Sequence, residues 1–495
     1  MRNIKRALAL LLTAMLLAAC TPKDSSQIQD EPEQSAEQVQ APVNLIYYTI
    51  GTPDADLSLI NEQLNELLLK KIGVTVDYIK IGWNDYETQL DSLINSGRQF
   101  DIAFAVNYAQ QAQKGAWLAL DEYLLTIGSE MYQAIDPLFW EGAAIGGKVY
   151  GVPTNKELAV LEQWMYPKEL VEKYNIDITQ YTTLESLEPL FAEIQQNEPE
   201  WLMFELDKDS HNFFAMFGYE YISNKYLPLM VKSLSEESIV VNPFGTEEGR
   251  SVLDTLRGYY LDGYINEDAA VNTLSGLIPD RKVFLRIAGG GPYSDTIWSQ
   301  QRGYDVVAHA VTEPIVTSES TQGGMMCVSA STRYPEACVA FLNLINTDVE
   351  VRNLLNFGIE GVHYDLDSNG QVLLNDSRGY SGVQYTQGNW FILYTQGGSQ
   401  PEPLDKWKQY QEYNASAVKS NLLGFTPELS QFDALIADIN IAWQNYYPVL
   451  MTGSVDVDTY LPAFLQALED AGLEIIREEL QRQLDSWLNE KSNGE

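Results

Sequence analysis

Histidine and cysteine are scarce in this 495-residue chain, which has three of each. Cys20, Cys327 and Cys338 stand apart, and His211, His309 and His363 form no HExxH and no Cys/His cluster. A zinc site needs three or four such ligands at set spacing, so zinc has no support here. No GxSxG nucleophile motif occurs either. Basic residues are also few: 31 Lys and Arg face 69 Asp and Glu, for a formal charge of −38. A surface this acidic repels phosphate backbones and anionic headgroups, which argues against nucleic acid as a partner. The same excess lets a carboxylate pair for glycoside hydrolysis be assembled in almost any cleft, so carboxylates alone carry no catalytic meaning. Beyond the first twenty residues no apolar run approaches the roughly 20 residues of a membrane-spanning helix.

What is present begins at the N-terminus. Arg2, Lys5 and Arg6 precede Ala7 to Ala19, apolar apart from Thr13, and the run closes on Leu17-Ala18-Ala19-Cys20. A basic start, a short apolar core and small residues before the cut predict a secretory signal over 1–19. Without those three cations the remainder carries about −41. Residues 21–42 (TPKDSSQIQDEPEQSAEQVQAP) have no apolar periodicity. They bury too little to offset their ordering entropy, and a disordered tether of roughly 25 Å reach is expected there. The rest is long enough for two or three domains of about 150 residues each, and 45% hydrophobic content fits a well-filled core.

The first folded stretch alternates strand and helix. Asn44 to Ile50 reads as a strand. Thr52, Pro53 and Asp54 read as the start of a helix carrying Leu57, Ile60, Leu64, Leu67 and Leu68 on one face, and Gly73 as its end. Val74 to Ile81 reads as a strand, 84–97 as a helix and Phe100 to Val106 as a third strand. That alternation predicts a parallel α/β sheet. FLRIAGG, YDVVAHAV and GGMMCVSAS are strand-like, 184–196 and 335–346 helix-like, and 365–405 polar, Gly-rich and aromatic. The end, 428–491, is helical, with Leu473, Ile476, Leu480, Leu484, Trp487 and Leu488 in one stripe. Cys327 lies on a strand and Cys338 on the buried face of the following helix, where both read as small hydrophobes, with pairing in an oxidising exterior as the other option.

Several stretches resemble the extracellular solute-binding lipoproteins of ABC sugar importers. They are FDIAFAVNYAQQAQKGAWLALDEYL (100–124), KVYGVP (148–153), YPEACVAFLNLINTDVEVRNLLNFGIEGVHY (334–364) and the long stretch 424–488, GFTPELSQFDALIADINIAWQNYYPVLMTGSVDVDTYLPAFLQALEDAGLEIIREELQRQLDSWL. The resemblance implies an α/β, two-lobed, periplasmic-binding-protein-like (type II) fold with an interlobe cleft and a helical C-terminal region over 424–491. It implies one lobe from 43–153 plus 305–355 and another from 154–304 plus 356–495. It also implies that Cys20 becomes the first mature residue and carries a lipid, that the protein sits on the extracellular face of a bacterial membrane, and that ABC permease subunits are its partners. The implied role is capture of a small molecule, an oligosaccharide above all, without a cofactor and without catalysis. A secreted carbohydrate-active hydrolase and a surface adhesion or sensory lipoprotein are the competing readings.

In open α/β sheets ligands bind beyond the carboxyl ends of the strands. That rule selects Gly51 and Thr52 after the first strand, Trp83 after the second, and Asn107 and Tyr108 after the third. Trp and Tyr offer flat apolar faces with a polar handle, and Asn offers donors and an acceptor, a mixture that suits a sugar ring with its rim of hydroxyls. From the other lobe Trp164, Tyr293, Trp298, Asn389 and Trp390 are added; Tyr293 follows the Gly289-Gly290-Gly291-Pro292 turn. Two further motifs are weighed. GAAIGGKV (142–149) has Val149 where a P-loop needs Ser or Thr and leads into a strand. DLDSNGQVLLND places Asp365, Asp367, Asn369 and Asp376 as a weak calcium loop, but it reads better as a hairpin with a Ser-Asn-Gly turn.

Overall fold

The computed structural model describes residues 42–159, 161–209, 212–273 and 281–494. The expected signal, Cys20, nearly all of the tether and His211 lie outside these residues. Among them no helix is long and apolar enough to cross a membrane.

Two larger sheets organise the chain. Their strands are β1 (Val43–Ile50), β2 (Val74–Ile81), β3 (Ile102–Phe104), β4 (Gly151–Pro153), β5 (Leu161–Pro167), β6 (Leu202–Phe204), β7 (Val283–Gly290), β8 (Val306–Ala310) and β9 (Met325–Val328). The first sheet has the order β2-β1-β3-β9-β4. β1 runs parallel to β2 and β3, while β9 enters antiparallel between β3 and β4. The second has the order β8-β5-β7-β6, with β5 antiparallel to both its neighbours and β7 parallel to β6. A strand that returns into the first sheet after the second has been built makes the first lobe discontinuous, the type II arrangement.

Local chemistry accounts for most elements. The helix Leu57–Ile72 buries Ile60, Leu64 and Leu68 and ends at Gly73, whose φ of 68° is open to glycine without the Cβ cost. The helix Tyr86–Ser96 buries Tyr86, Leu90 and Leu93 and ends in the same way at Gly97. The C-terminal helices Asp433–Met451, Val457–Asp470 and Leu473–Gly494 bury Ile439, Trp443, Phe464, Leu480 and Leu484 in one core with Trp164, Phe204 and Phe284 of the second lobe.

Three segments join the lobes. Thr154–Ala159 leads from β4 to β5, and Val311–Thr317 leads back from β8 toward β9. Val418–Lys419 pairs parallel with Ile315–Val316 inside the second crossing. Two expected lobe boundaries shift. β8 pairs with β5 along its length, so the return crossing follows Ala310 and does not lie at 305. The stretch 356–393 packs on the first lobe, not the second. Tyr380 belongs to the core of β1 and β2, and Gln387 accepts from Tyr47 and donates to Tyr78. The cause is a set of buried polar side chains on the helix Val349–Phe357: Arg352 donates to the Gln384 carbonyl, and Asn353 donates to that of Ile392.

Cys327 and Cys338 are free and buried, and burial pushes the Cys338 thiol up to about 12. GAAIGGKV is a small hairpin, Ala144–Ile145 against Lys148–Val149, turning through Gly146 and Gly147 at positive φ. DLDSNGQVLLND is also a hairpin, Tyr364–Leu366 against Val372–Leu374. Asp367 closes its turn by accepting from the Asn369 and Gln371 amides. The hairpin reading is the one the structure shows, and among the described residues no three Asp, Glu, His or Cys side chains group to hold a metal.

Candidate ligand-binding site

A cleft of about 620 Å³ opens between the lobes. The first lobe contributes the chain beyond β3: Ala105, Asn107, Gln110 and Gln113. Asn107 takes the left-handed conformation, φ 54°, that turns the strand into the short helix Tyr108–Gln113, a conformation Asn tolerates better than most residues. Its amide donates to Glu87 at 2.9 Å. The second lobe contributes Gly218 to Asn224, around the strand Tyr219–Tyr221. β5 supplies Glu162, the return crossing supplies Thr312 and Glu313, the short helix Ser318–Gln322 follows it, and residues 425–430 close one side. Gln113 reaches over to the Pro427 carbonyl at 3.1 Å.

Three carboxylates give the cleft its electrostatics. Burial pushes the Glu162 carboxyl, on β5, up to about 7. Burial pushes Glu220 up to about 7 as well, and the charge of Glu319 adds to that, while the Ser420 hydroxyl donates to Glu220 and opposes it. Glu319 reaches the open part of the cleft, yet desolvation by the walls raises it too, against the pull of Lys225. The Asn212 side-chain oxygen is buried and has no hydrogen-bond partner among the described residues. Acceptors of this kind are satisfied by hydroxyl or ammonium donors on a ligand.

A family model described as bacterial extracellular solute-binding protein matches residues 63–358, more than half of the chain. The chain belongs to this family. A second model, a domain of unknown function, covers residues 421–489, the helical end of this solute-binding protein. A carbohydrate ABC transporter substrate-binding protein of Streptococcus pneumoniae serotype 4 is 28% identical over 482 residues, 96% of each chain. The crystal structure of the N-glycan transport solute binding protein (NgtS) from Streptococcus pneumoniae is similar with a TM-score of 0.82 and 27% identity, over 91% of this chain and 100% of that one. The structure of NgtS in complex with Man1GlcNAc is similar with a TM-score of 0.74 and 28% identity, over 90% and 99%.

Of the ten residues selected from the sequence, the structure brings Asn107 and Tyr108 into the cleft wall. Tyr108 is only 4% exposed; its hydroxyl donates to the Ala143 carbonyl and accepts from the Tyr150 amide, so it props the wall from behind. The remaining eight are elsewhere. Gly51 is covered by Val383 and Lys80, and the exposed Thr52 precedes a helix that starts only at Leu57. The stretch around 381–387 therefore caps the carboxyl ends of β1 and β2, leaving the end of β3 to face the cleft. Trp164 is 0% exposed within the second-lobe core, and Trp298 packs on Met165 and Val306, so neither offers a ring face to a ligand. Asn389 is held by Asn155, the Asn346 carbonyl and the Phe391 amide. Trp390 donates to Gln384, and Tyr293 stands beside Tyr410. Trp83 alone among the tryptophans selected is open, 47% exposed, with its ring 5.9 Å from that of Tyr385. The Tyr385 carbonyl lies against Gly324, next in the chain to the lining residue Gly323, but neither Trp83 nor Tyr385 is part of the cleft lining.

Glu162, Glu220, Glu319, Asn212 and Phe425 were not singled out by the sequence. Among 69 acidic residues three glutamates carry no local mark, and only the fold gathers them.

Proposed function

We propose that this solute-binding protein captures an oligosaccharide in the interlobe cleft and delivers it to an ABC permease, tethered to the outer face of the cell membrane through a lipid on Cys20. The observation that carries the reading is a cleft lined from both lobes and rich in hydroxyl acceptors, in a chain that matches a carbohydrate ABC transporter substrate-binding protein along 96% of its length. Ligand contacts on both walls favour a closed over an open arrangement, and that preference is what a docking permease reads. Trp83 supplies the exposed apolar face on which a sugar ring stacks. The complex of NgtS with Man1GlcNAc supports a glycan built of mannose and N-acetylglucosamine as the ligand class.

Isothermal titration with Man1GlcNAc is expected to show saturable one-to-one binding, with the glycan recovered intact. Glu220→Ala, which removes a charged hydrogen-bond acceptor, is expected to weaken it about tenfold or more. No heat of binding, or hydrolysis of the glycan, contradicts the proposal; hydrolysis favours a carbohydrate-active enzyme.

A further inference from the structure

The cleft is lopsided in charge. Among the described residues that line it, Glu162, Glu220, Glu313, Glu319, Glu428 and Asp433 are acidic, and Lys114 is the one basic residue. Glu220 and Glu319 reach it from different elements, the strand Tyr219–Tyr221 and the helix Ser318–Gln322, and the charge of Glu319 disfavours ionisation of Glu220 and of Tyr221, while Lys225 favours that of Glu319. Acceptors gathered in one cleft are satisfied by donors placed among them. A ligand carboxylate, which when ionised only accepts, adds a third like charge instead. Three of the lining amides that could offset this are already engaged, Gln113 with Pro427, Gln322 with Gly142 and Asn107 with Glu87. Like-charge juxtaposition in a partly desolvated site is a strong means of rejecting a ligand.

We propose that the cleft selects uncharged glycans and turns away acidic ones, and that Glu220 and Glu319 are the residues that enforce this. The inference rests on the reading of the cleft as the glycan site. It extends that reading from ligand class to charge selectivity: uronic-acid and sialic-acid sugars would be excluded although their ring and hydroxyl chemistry fits.

Three matched probes test it on the full mature protein: Man1GlcNAc, the same disaccharide with the mannose C6 oxidised to a carboxylate, and the 6-amino-6-deoxy form. Wild type is expected to bind the carboxylate at least about tenfold more weakly than the neutral sugar at about pH 8, where Glu220 is ionised, a margin in keeping with one like charge a few ångströms away in a site between protein and water. The ammonium form is expected to bind no more weakly than the neutral one. E220Q/E319Q, which keeps side-chain volume and removes both charges, is expected to narrow the neutral-to-carboxylate ratio at least about fivefold, whatever it does to each affinity. Carboxylate binding within twofold of neutral binding in wild type overturns the inference and leaves the glycan reading standing. An unchanged ratio in folded E220Q/E319Q removes the assignment to these two glutamates. If wild type binds none of the three sugars, the glycan reading falls and the inference with it. The wild-type comparison does not depend on whether the double variant folds.

Discussion

Gly388→Ala is expected to destabilise the protein by about 3–4 kcal/mol, one of the largest effects of any single methyl group in the chain. Gly388 holds φ at 70° and its carbonyl accepts from the Asn155 amide. A Cβ there would stand 2.5 Å from the Ile345 carbonyl oxygen and 2.7 Å from Cδ of Arg352. The left-handed backbone costs an alanine about 1–2 kcal/mol, and overpacking a filled site adds about 1–3 kcal/mol. Neither neighbour can retreat cheaply. The Ile345 oxygen is helix backbone, and Arg352 is fully buried with the Gln384 carbonyl and the Asn356 side chain as partners; burial holds its guanidinium down at about 10. Gly370→Ala is the control, because Gly370 has φ 76° and nothing within 4 Å of its added Cβ. It is expected to cost about 1 kcal/mol. Urea unfolding of the two variants checks the difference, and equal losses would show that the packing of 386–390 against the first lobe is loose.

Raising the pH from about 5 to 8 is expected to lower the stability of the free protein through the cleft carboxyls. Glu162 and Glu220 titrate near 7 in the folded state because burial raises them, against about 4.3 in an unfolded chain. Between those values the folded state keeps protons that the unfolded state has released, so stability falls as pH rises. Below about 4.3 both states are protonated and these sites cost nothing; above about 7 both are ionised and the full cost is present. The interval corresponds to at most about 4 kcal/mol per group, and water in an open cleft reduces it to roughly 2. Glu479, which Arg482 holds down to about 2, gives up its contribution only as pH falls through that low range, below this window. Denaturant melts of wild type and of Glu162→Gln/Glu220→Gln at pH 5.5 and 8 isolate the effect, because other titrations are common to both. The double variant is expected to lose about 2 kcal/mol less than wild type over that range, because part of the cost is already present at pH 5.5. Equal slopes would place both carboxyls in contact with bulk water.

The order of elements was legible where one local cause dominates. Ile60, Leu64 and Leu68 recur at helical spacing and are the buried face, and Gly73 and Gly97 stop their helices at positive φ. The stripe of Leu473, Ile476, Leu480 and Leu484 is buried as a stripe. Reading failed where tertiary contacts override local preference. Thr52 and Pro53 look like a helix start, but Asp54 pairs with the buried Lys80 and accepts from the Ser381 amide, and the Asp56 amide donates to Gly379. These bonds hold 51–56 as a loop and bring a distant segment over the ends of β1 and β2. The rule that ligands sit beyond strand ends therefore survived at β3 and not at β1. The aromatic residues were misplaced for a compositional reason: with ten Trp and 29 Tyr, most rings fill cores, as Trp164 and Trp298 do. The cleft glutamates were invisible because burial, and not the residue type, makes them unusual.

Hydrogen exchange with and without saturating Man1GlcNAc tests the account at its centre, because backbone protection reports each wall of the cleft separately. Slowed exchange is predicted together in 105–114 of the first lobe and in 218–224 and 425–430 of the second. Binding that protects one wall alone, or only segments remote from the cleft, would contradict capture of a glycan between the lobes.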